Sequence, residues 1–268
     1  MCDRCGRPFV SPVALQSIQP LCRLCRANFF SFERARSFAV HNDALSQAIT
    51  LLKYEEITLL GNWFAGRLAG LISTEPEKWG IDVVMPVPLH RERERERGYN
   101  QSYLIARPLA KALALPLEAK ILIRTRSRPS TLLLSRTDRW RAVRGAYALR
   151  EGQQVDNLRI LLVDDVMTTG ATLDSCARTL KQAGAAVVLG LTVARVVPEW
   201  TSLRRALRGR VGASVRNGGK KRNKQGPFGF FRKISVAGKA NRARNGQPVE
   251  KRPSASAYDW AGWSYARP

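Results

Sequence analysis

Hydrophobic residues recur along the chain in two patterns, and their alternation predicts strands separated by helices. Continuous apolar runs occur at residues 160–163 ("ILLV"), in "IDVVMPVPL" at 81–89 and in "AAVVLGLTVARVV" at 185–197. Such runs suit strands buried on both faces, and Pro86 and Pro88 end the second one. Apolar residues at helical spacing predict a helix over residues 171–184, between two of these strands.

The N-terminal half of the chain carries helical spacing without long apolar runs. The helical region is predicted to break near Gly61, and the pair Gly66 and Gly70 predicts close helix packing. The apolar positions that define the pattern are Leu45, Ile49, Leu52, Leu59, Phe64, Leu68 and Leu71.

A further helix is predicted from a capping residue rather than from spacing alone. Asn100 can cap a helix that runs toward Leu113, and Pro108 predicts a kink or a short break inside it. Strands that alternate with helices imply an α/β fold, with a mostly parallel sheet and helices on both faces.

The segment "ILLVDDVMTTGATL" at 160–173 joins a predicted strand to a predicted helix and is rich in polar groups. Backbone amides from Met167 to Thr172 can form an anion-binding nest, and Gly170 permits close approach. Asp164 and Asp165 can then accept hydrogen bonds from sugar hydroxyls. The segment therefore predicts a site for a ribose 5-phosphate. An acidic pair at a strand end also occurs in receiver domains or as a turn cap, but neither alternative explains the Thr-Thr-Gly-Ala-Thr run.

Four of the five cysteines lie in the first 25 residues as two Cys-x-x-Cys pairs. Two such pairs can supply the four thiolates of a tetrahedral zinc site, so we predict structural zinc on Cys2, Cys5, Cys22 and Cys25. The alternatives are four unrelated buried thiols or a disulfide. Cys176 stands apart on a predicted helix and is assigned to the core.

Charge is distributed unevenly along the chain. The formal net charge is +24, and residues 199–268 alone hold 17 Lys and Arg against three Asp and Glu. This composition predicts a disordered basic tail. The predicted domains are a four-cysteine zinc module at 1–30, the α/β domain at 31–198 and the tail at 199–268. No apolar run reaches the ~20 residues of a membrane span, and the N-terminus lacks a signal-peptide core, so we expect a cytoplasmic protein.

Several short motifs together resemble a known family. Residues 163–172 ("VDDVMTTGAT") resemble the type I phosphoribosyltransferases. With the cysteine pairs, "LKY" at 52–54, "PVPL" at 86–89 and "RGYNQ" at 97–101, residues 1–197 resemble the ComF family of competence-associated proteins. A further family segment is matched at Leu134, Ser135 and Arg139, while Thr131 replaces a glutamine and Ala142 an asparagine.

The resemblance implies a substrate, a cofactor and site residues. The substrate is phosphoribosyl pyrophosphate with Mg²⁺, and the catalytic pair Asp164 and Asp165 holds the ribose hydroxyls. Arg97 is a nearby cation, whereas the rest of "RERERER" at 91–97 is interpreted as a solvated charge stretch. His41 and His90 have no metal-ligand spacing and are interpreted as ordinary residues. The remaining substrate-binding residues are Val166, Met167, Thr168, Thr169, Gly170, Ala171 and Thr172 around the 5-phosphate, and Val87, Pro88 and Leu89 on the pyrophosphate side.

Two functions follow from the resemblance and the composition. One is a phosphoribosyltransferase that passes the pentosyl group to an unknown acceptor. The other is a non-catalytic, DNA-associated adaptor or sensor that uses the pocket only to bind ligand. The tail interleaves aromatic residues with cations, which suits single-stranded DNA, and DNA-uptake proteins are further expected partners. The tail could equally bind any polyanion without purpose, or be an extension from an altered reading frame.

Overall fold

A computed structural model describes residues 1–9, 20–55, 57–126 and 136–197. All of these residues belong to one compact unit, Met1–Arg216. The basic tail at 199–268 and three residues of the family segment, Thr131, Leu134 and Ser135, lie outside the described residues.

The described residues contain six strands and seven α-helices. The strands are β1 (Arg34–Val40), β2 (Val83–Pro86), β3 (Leu122–Arg124), β4 (Tyr147–Leu149), β5 (Arg159–Met167) and β6 (Val187–Arg195). The helices are α1 (Arg23–Arg26), α2 (Asp43–Tyr54), α3 (Leu59–Ser73), α4 (Arg91–Arg97), α5 (Gln101–Ala112), α6 (Arg136–Val143) and α7 (Ala171–Gln182).

Four strands form a parallel sheet in the order β1-β6-β5-β2, and β3 pairs with β4 in a small antiparallel ladder. Both faces of the parallel sheet are covered. Ile160 and Leu162 of β5 pack in the same cluster as Leu173 and Leu180 of α7. Leu161 and Val163 lie in the opposite cluster, with residues of α2, α3 and α5. The α/β prediction, with a parallel sheet between helices, is confirmed.

β5 extends further than its apolar run predicts. The strand continues through the two aspartates to Met167, because Val166 and Met167 still pair with Ala194 and Arg195 of β6. β1 was not predicted, since "RARSFAV" interrupts its apolar residues with arginines. It forms the edge of the sheet, where the Ser37 and Thr192 hydroxyls lie 2.6 Å apart.

The predicted break near Gly61 falls between α2 and α3, and Gly61 itself lies inside α3. The predicted packing of Gly66 and Gly70 is wrong. Gly66 and Gly70 are exposed and have open space where a Cβ would project, so they do not pack against another helix. Gly61 does: a Cβ there would lie 2.5 Å from the Leu104 carbonyl oxygen of α5.

Pro108 explains why this contact is so close. α5 runs unbroken through Pro108, so the predicted short break is absent. A proline has no N–H, and the carbonyl four residues earlier, that of Leu104, loses its helical donor. The α-carbon of Gly61 approaches that carbonyl where a side chain would be excluded, which brings α3 and α5 together.

Substitution of these glycines should therefore have opposite effects. Gly61→Ala is expected to destabilise the fold by about 1–3 kcal/mol, because the added methyl overlaps the backbone of α5. Gly66→Ala, the matched control, should stabilise α3 by roughly 0.5–1 kcal/mol through helix propensity. Urea unfolding of both variants measures the difference. Equal effects of the two alanines would contradict the packing role of Gly61.

Candidate functional site

The two predicted catalytic carboxylates lie near the C-terminal end of β5, in the middle of the sheet. Asp164 and Asp165 are 8% and 5% exposed. The Ser102 hydroxyl of α5 donates to Asp164 Oδ1 at 3.0 Å, and the Asp165 backbone N–H donates to the same oxygen at 2.9 Å. Ligands of open α/β sheets bind beyond this end of the strands.

Lys53, near the end of α2, provides a cation beside the acidic pair. Its Nζ forms an ion pair with Asp165 Oδ2, and its side chain is 24% exposed. This residue was not predicted as a site residue, although it lies in the "LKY" motif. Tyr54 follows in the same motif, and the Arg97 guanidinium stacks over its ring at 5.0 Å. The Arg97 Nη1 also donates to Gln101 Oε1 at 2.5 Å.

The two carboxyls titrate differently. Burial and the neighbouring Asp165 charge raise the pKa of Asp164 to about 8. Burial alone would also raise the pKa of Asp165, but the charge of Lys53 and hydrogen bonds hold that pKa below its ordinary value. Near neutral pH the pair therefore carries one negative charge. This charge lies on Asp165, in an ion pair with Lys53.

His41 lies in the same electrostatic environment, although the sequence suggested an ordinary residue. Burial and the nearby Lys53 cation lower its pKa. The neutral imidazole is therefore favoured beside the acidic pair. His90, by contrast, precedes α4, with its Nδ1 3.8 Å from Glu92 Oε2.

The raised pKa of Asp164 predicts a pH-dependent gain in stability on neutralising this residue. Between its ordinary pKa of 3.8 and about 8, the folded chain keeps a proton that the unfolded chain has lost. The free energy of unfolding is therefore highest below that pH range, where Asp164 is protonated in both states. It falls as the pH rises through the range. Asp164→Asn should raise the Tm of the ligand-free protein near pH 8 and have little effect near pH 4. Parallel thermal unfolding measures this, and a Tm difference that does not grow with pH contradicts it.

The predicted phosphate loop turns sharply between β5 and α7. Gly170 has a φ of 85° and precedes the first residue of α7. A Cβ at this position would meet the Phe30 ring at 2.9 Å and the Met167 methyl at 3.0 Å, so only glycine fits here. The Ala171 N–H donates to the Thr169 hydroxyl oxygen at 3.3 Å. Thr168, Thr169 and Thr172 remain partly exposed beside the α7 N-terminus.

The residues assigned to the pyrophosphate side follow β2, directly beside β5. The Val87 N–H donates to the Val163 carbonyl at 2.9 Å, and the Val87 carbonyl accepts from the Asn100 amide at 3.1 Å. Pro88 and Leu89 continue from there and are partly exposed. Asn100 also accepts from the Ser102 N–H, which confirms it as the cap of α5.

Four cysteine thiols converge at the edge of the sheet. The Sγ atoms of Cys2, Cys5, Cys22 and Cys25 all lie within 4.8 Å of one another. The segment is held to β1, where the Ala35 N–H donates to the Arg4 carbonyl at 2.7 Å. Cys176 is fully buried in the core and takes no part in this cluster, as expected.

A buried arginine connects the cysteine cluster to the phosphate loop. Arg195, at the end of β6, is 7% exposed. Its Nη1 donates to the Cys5 carbonyl at 2.6 Å and lies 2.9 Å from Met167 Sδ. Its Nη2 lies 3.7 Å from Cys5 Sγ. Arg195 was not predicted, because a strand arginine carries no signal of burial in the sequence.

Comparison with known proteins agrees with this arrangement. The phosphoribosyl transferase domain family matches residues 100–199. The chain is 29% identical to the competence protein ComFC of Bacillus subtilis over 203 residues, which cover 73% of this chain and 78% of that protein. It is also 29% identical to the DNA utilization protein YhgH of Salmonella typhimurium over 191 residues, 70% of this chain and 81% of that protein. These similarities support a ComF-family protein with a phosphoribosyl transferase domain at residues 100–199.

One solved structure adds only a weak likeness. The purine phosphoribosyltransferase of Pyrococcus horikoshii aligns with 50% of this chain and 83% of its own, at 15% identity and a TM-score of 0.33. Among the residues that the structure describes, no helix is long and apolar enough to cross a membrane.

Proposed function

We propose that this protein binds phosphoribosyl pyrophosphate with Mg²⁺ and transfers its pentosyl group to an acceptor. The observation that carries the proposal is the buried pair Asp164 and Asp165, with Lys53 in an ion pair with Asp165, between two strand-end loops. One loop offers amides and threonine hydroxyls suited to a phosphate. The other follows β2 and is assigned to the pyrophosphate.

The carboxylates and the cations have different roles in this proposal. Asp164 and Asp165 bind the ribose hydroxyls, and their negative charge favours the positive charge that develops at C1 in the transition state. Lys53 keeps Asp165 ionised before substrate arrives. Mg²⁺ supplies neutralising charge to the pyrophosphate leaving group when bound. Oxygen ligands suit this hard cation, and the acidic pair offers carboxylate oxygens near the ribose position.

We also propose that the cysteine cluster holds one structural zinc. Four thiolates at about 2.3 Å from a tetrahedral zinc lie about 3.8 Å apart. The Cys5 and Cys22 sulfurs are 3.7 Å apart, so the cluster fits the ion. A zinc ion with four thiolates keeps two excess negative charges. Two buried cations face it: Arg195 at Cys5, and Arg36, whose Nη1 lies 3.4 Å from the Cys2 carbonyl. Their charges offset those of the centre.

The names of the relatives support a role in competence or DNA use for this chain as well. We propose single-stranded DNA and DNA-uptake proteins as its partners, with the tail at 199–268 as the site of contact. This segment has 17 basic residues against three acidic ones, which favours phosphate contacts. A non-catalytic adaptor that binds phosphoribosyl pyrophosphate is the second candidate function, and the same tail composition supports it.

A turnover assay separates the two functions. The wild-type protein is incubated with Mg²⁺ and phosphoribosyl pyrophosphate against a panel of nucleobases, aromatic acids and amines, and pyrophosphate release is measured. Release that depends on one acceptor identifies a transferase. Binding by calorimetry without release across the panel identifies the adaptor. Absence of binding contradicts both functions.

A further inference from the structure

A cavity of about 190 Å³ lies between the cysteine cluster and the phosphate loop. Cys5 and Cys22 form one wall, and Thr168 and Thr169 form the other. The Phe30 ring closes one side. At roughly 30 Å³ per water molecule, the space is that of about six waters, which suits a single-ring compound better than a drug-sized one.

The cavity is lined by cations. Arg7, Arg139 and Arg195 all reach it, and none of its described lining residues is an aspartate or glutamate. The Nε atoms of Arg139 and Arg195 are buried and have no hydrogen-bond partner. Arg195 is itself more than nine-tenths buried. Three guanidinium groups with no carboxylate among the described lining residues make this cavity suited to an anion.

The order of the strands places this cavity opposite the assigned pyrophosphate loop. In the sheet order β1-β6-β5-β2, the loop that follows β2 lies on one side of β5. Arg195 ends β6, on the other side. A ribose above the acidic pair of β5 would therefore have the pyrophosphate on one side and the arginine cavity on the other. A nucleophile that displaces a leaving group in line must enter from the side opposite to it.

We propose that this cavity is the acceptor site and that the acceptor is a planar, single-ring molecule with a carboxylate. This assignment rests on the proposed transferase function. The carboxylate binds Arg7 and Arg139, because Arg195 already faces the thiolates at Cys5, and the ring packs against Phe30. A lone pair on the acceptor then forms the new bond to C1, the C1–O bond breaks, and its electron pair leaves with the pyrophosphate. A proton on the attacking atom passes to water.

A wider opening provides access to the cavity. It has a volume of about 630 Å³ and shares Arg7, Cys22 and Leu24 with the cavity. Phe29 and Trp140 line this opening with their rings 4.9 Å apart, edge to face. An aromatic acceptor can therefore enter along an aromatic surface, past the cysteine cluster.

The test uses pairs of probes that differ only in the acid group: orotate against uracil, and anthranilate against aniline. Binding is measured by calorimetry with saturating Mg²⁺ and ribose 5-phosphate, which lacks the leaving group, so no transfer occurs. We expect at least one acid to bind about 10- to 100-fold more tightly than its neutral partner, as for hydrogen bonds to charged groups. Absence of any preference for the acids overturns the proposal.

Variants locate the site. Arg139→Gln should weaken the acid by about tenfold or more and leave ribose 5-phosphate affinity within about twofold. Arg7→Gln serves as a second variant with the same expected result, in case Arg139→Gln unfolds. Arg67→Gln, which removes an exposed charge from α3, is the matched control and should change neither affinity. If both arginine variants weaken ribose 5-phosphate instead, the cavity binds the 5-phosphate and the acceptor assignment is wrong. If the wild type fails to bind ribose 5-phosphate, the proposed function itself is contradicted.

Discussion

Replacing Asp164 and Asp165 together with asparagine is expected to abolish the stabilisation of this protein by Mg²⁺ and phosphoribosyl pyrophosphate. A ligand that binds only the folded state at about 100 times its Kd stabilises it by about 2.7 kcal/mol. For a folded region of this size, this corresponds to about 5–10 °C in Tm. The two asparagines keep the shape of the carboxyls but remove the negative charge that Lys53 holds at the ribose position. Differential scanning fluorimetry with and without ligand measures the loss.

The ligand-free double variant should remain folded, because Asp164 is already protonated near neutral pH. A matched control removes two carboxylates elsewhere: Glu77→Gln with Glu151→Gln, both exposed and both outside β5. The control should keep the full shift in Tm. If the aspartate variant binds the ligand as tightly as the wild type by calorimetry, the ribose assignment is wrong.

Loss of one cluster thiol should have the largest effect on the N-terminal segment. Structural zinc contributes about 10–16 kcal/mol of apparent binding free energy in small zinc-dependent modules. Wild-type protein is expected to contain about one zinc per chain, and Cys22→Ser should release it and loosen the first ~30 residues while the parallel sheet stays folded. Metal analysis and hydrogen exchange measure these two results.

The fifth cysteine provides the control for this experiment. Cys176→Ala removes a buried thiol from α7 but leaves all four cluster sulfurs in place. Its zinc content should equal that of the wild type. Wild-type protein without zinc, and with four reduced and freely titratable N-terminal thiols, would contradict the zinc assignment.

The sequence predicts the parts of the fold that rest on uninterrupted patterns. The buried strands β2, β5 and β6 and the helix α7 follow from apolar runs and helical spacing, and the phosphate loop follows from glycine and threonine between them. β1 was missed because its polar residues are satisfied by tertiary contacts, such as that between Ser37 and Thr192. Sequence periodicity does not record such contacts.

The candidate site was predicted unevenly for a similar reason. Motif residues on β5 are adjacent in sequence, so their grouping is visible. Lys53 and Ser102 reach the same carboxylates from separate helices, and only the fold brings them together. The close approach of Gly61 to the Leu104 carbonyl likewise depends on two helices that meet in space, so the sequence did not distinguish Gly61 from Gly66 and Gly70.

The contact between Cys5 and Arg195 has a consequence for synthesis of the chain. The two residues are 190 positions apart, so the ribosome makes the cysteine segment long before its docking partner exists. At about 5–20 residues per second, the delay is about 10–40 s. β1, which carries the segment, also waits for β6, its neighbour in the sheet. Throughout this interval the four nascent thiols lack the Arg195 guanidinium. They are therefore open to metal or to oxidants before the rest of the site has been translated.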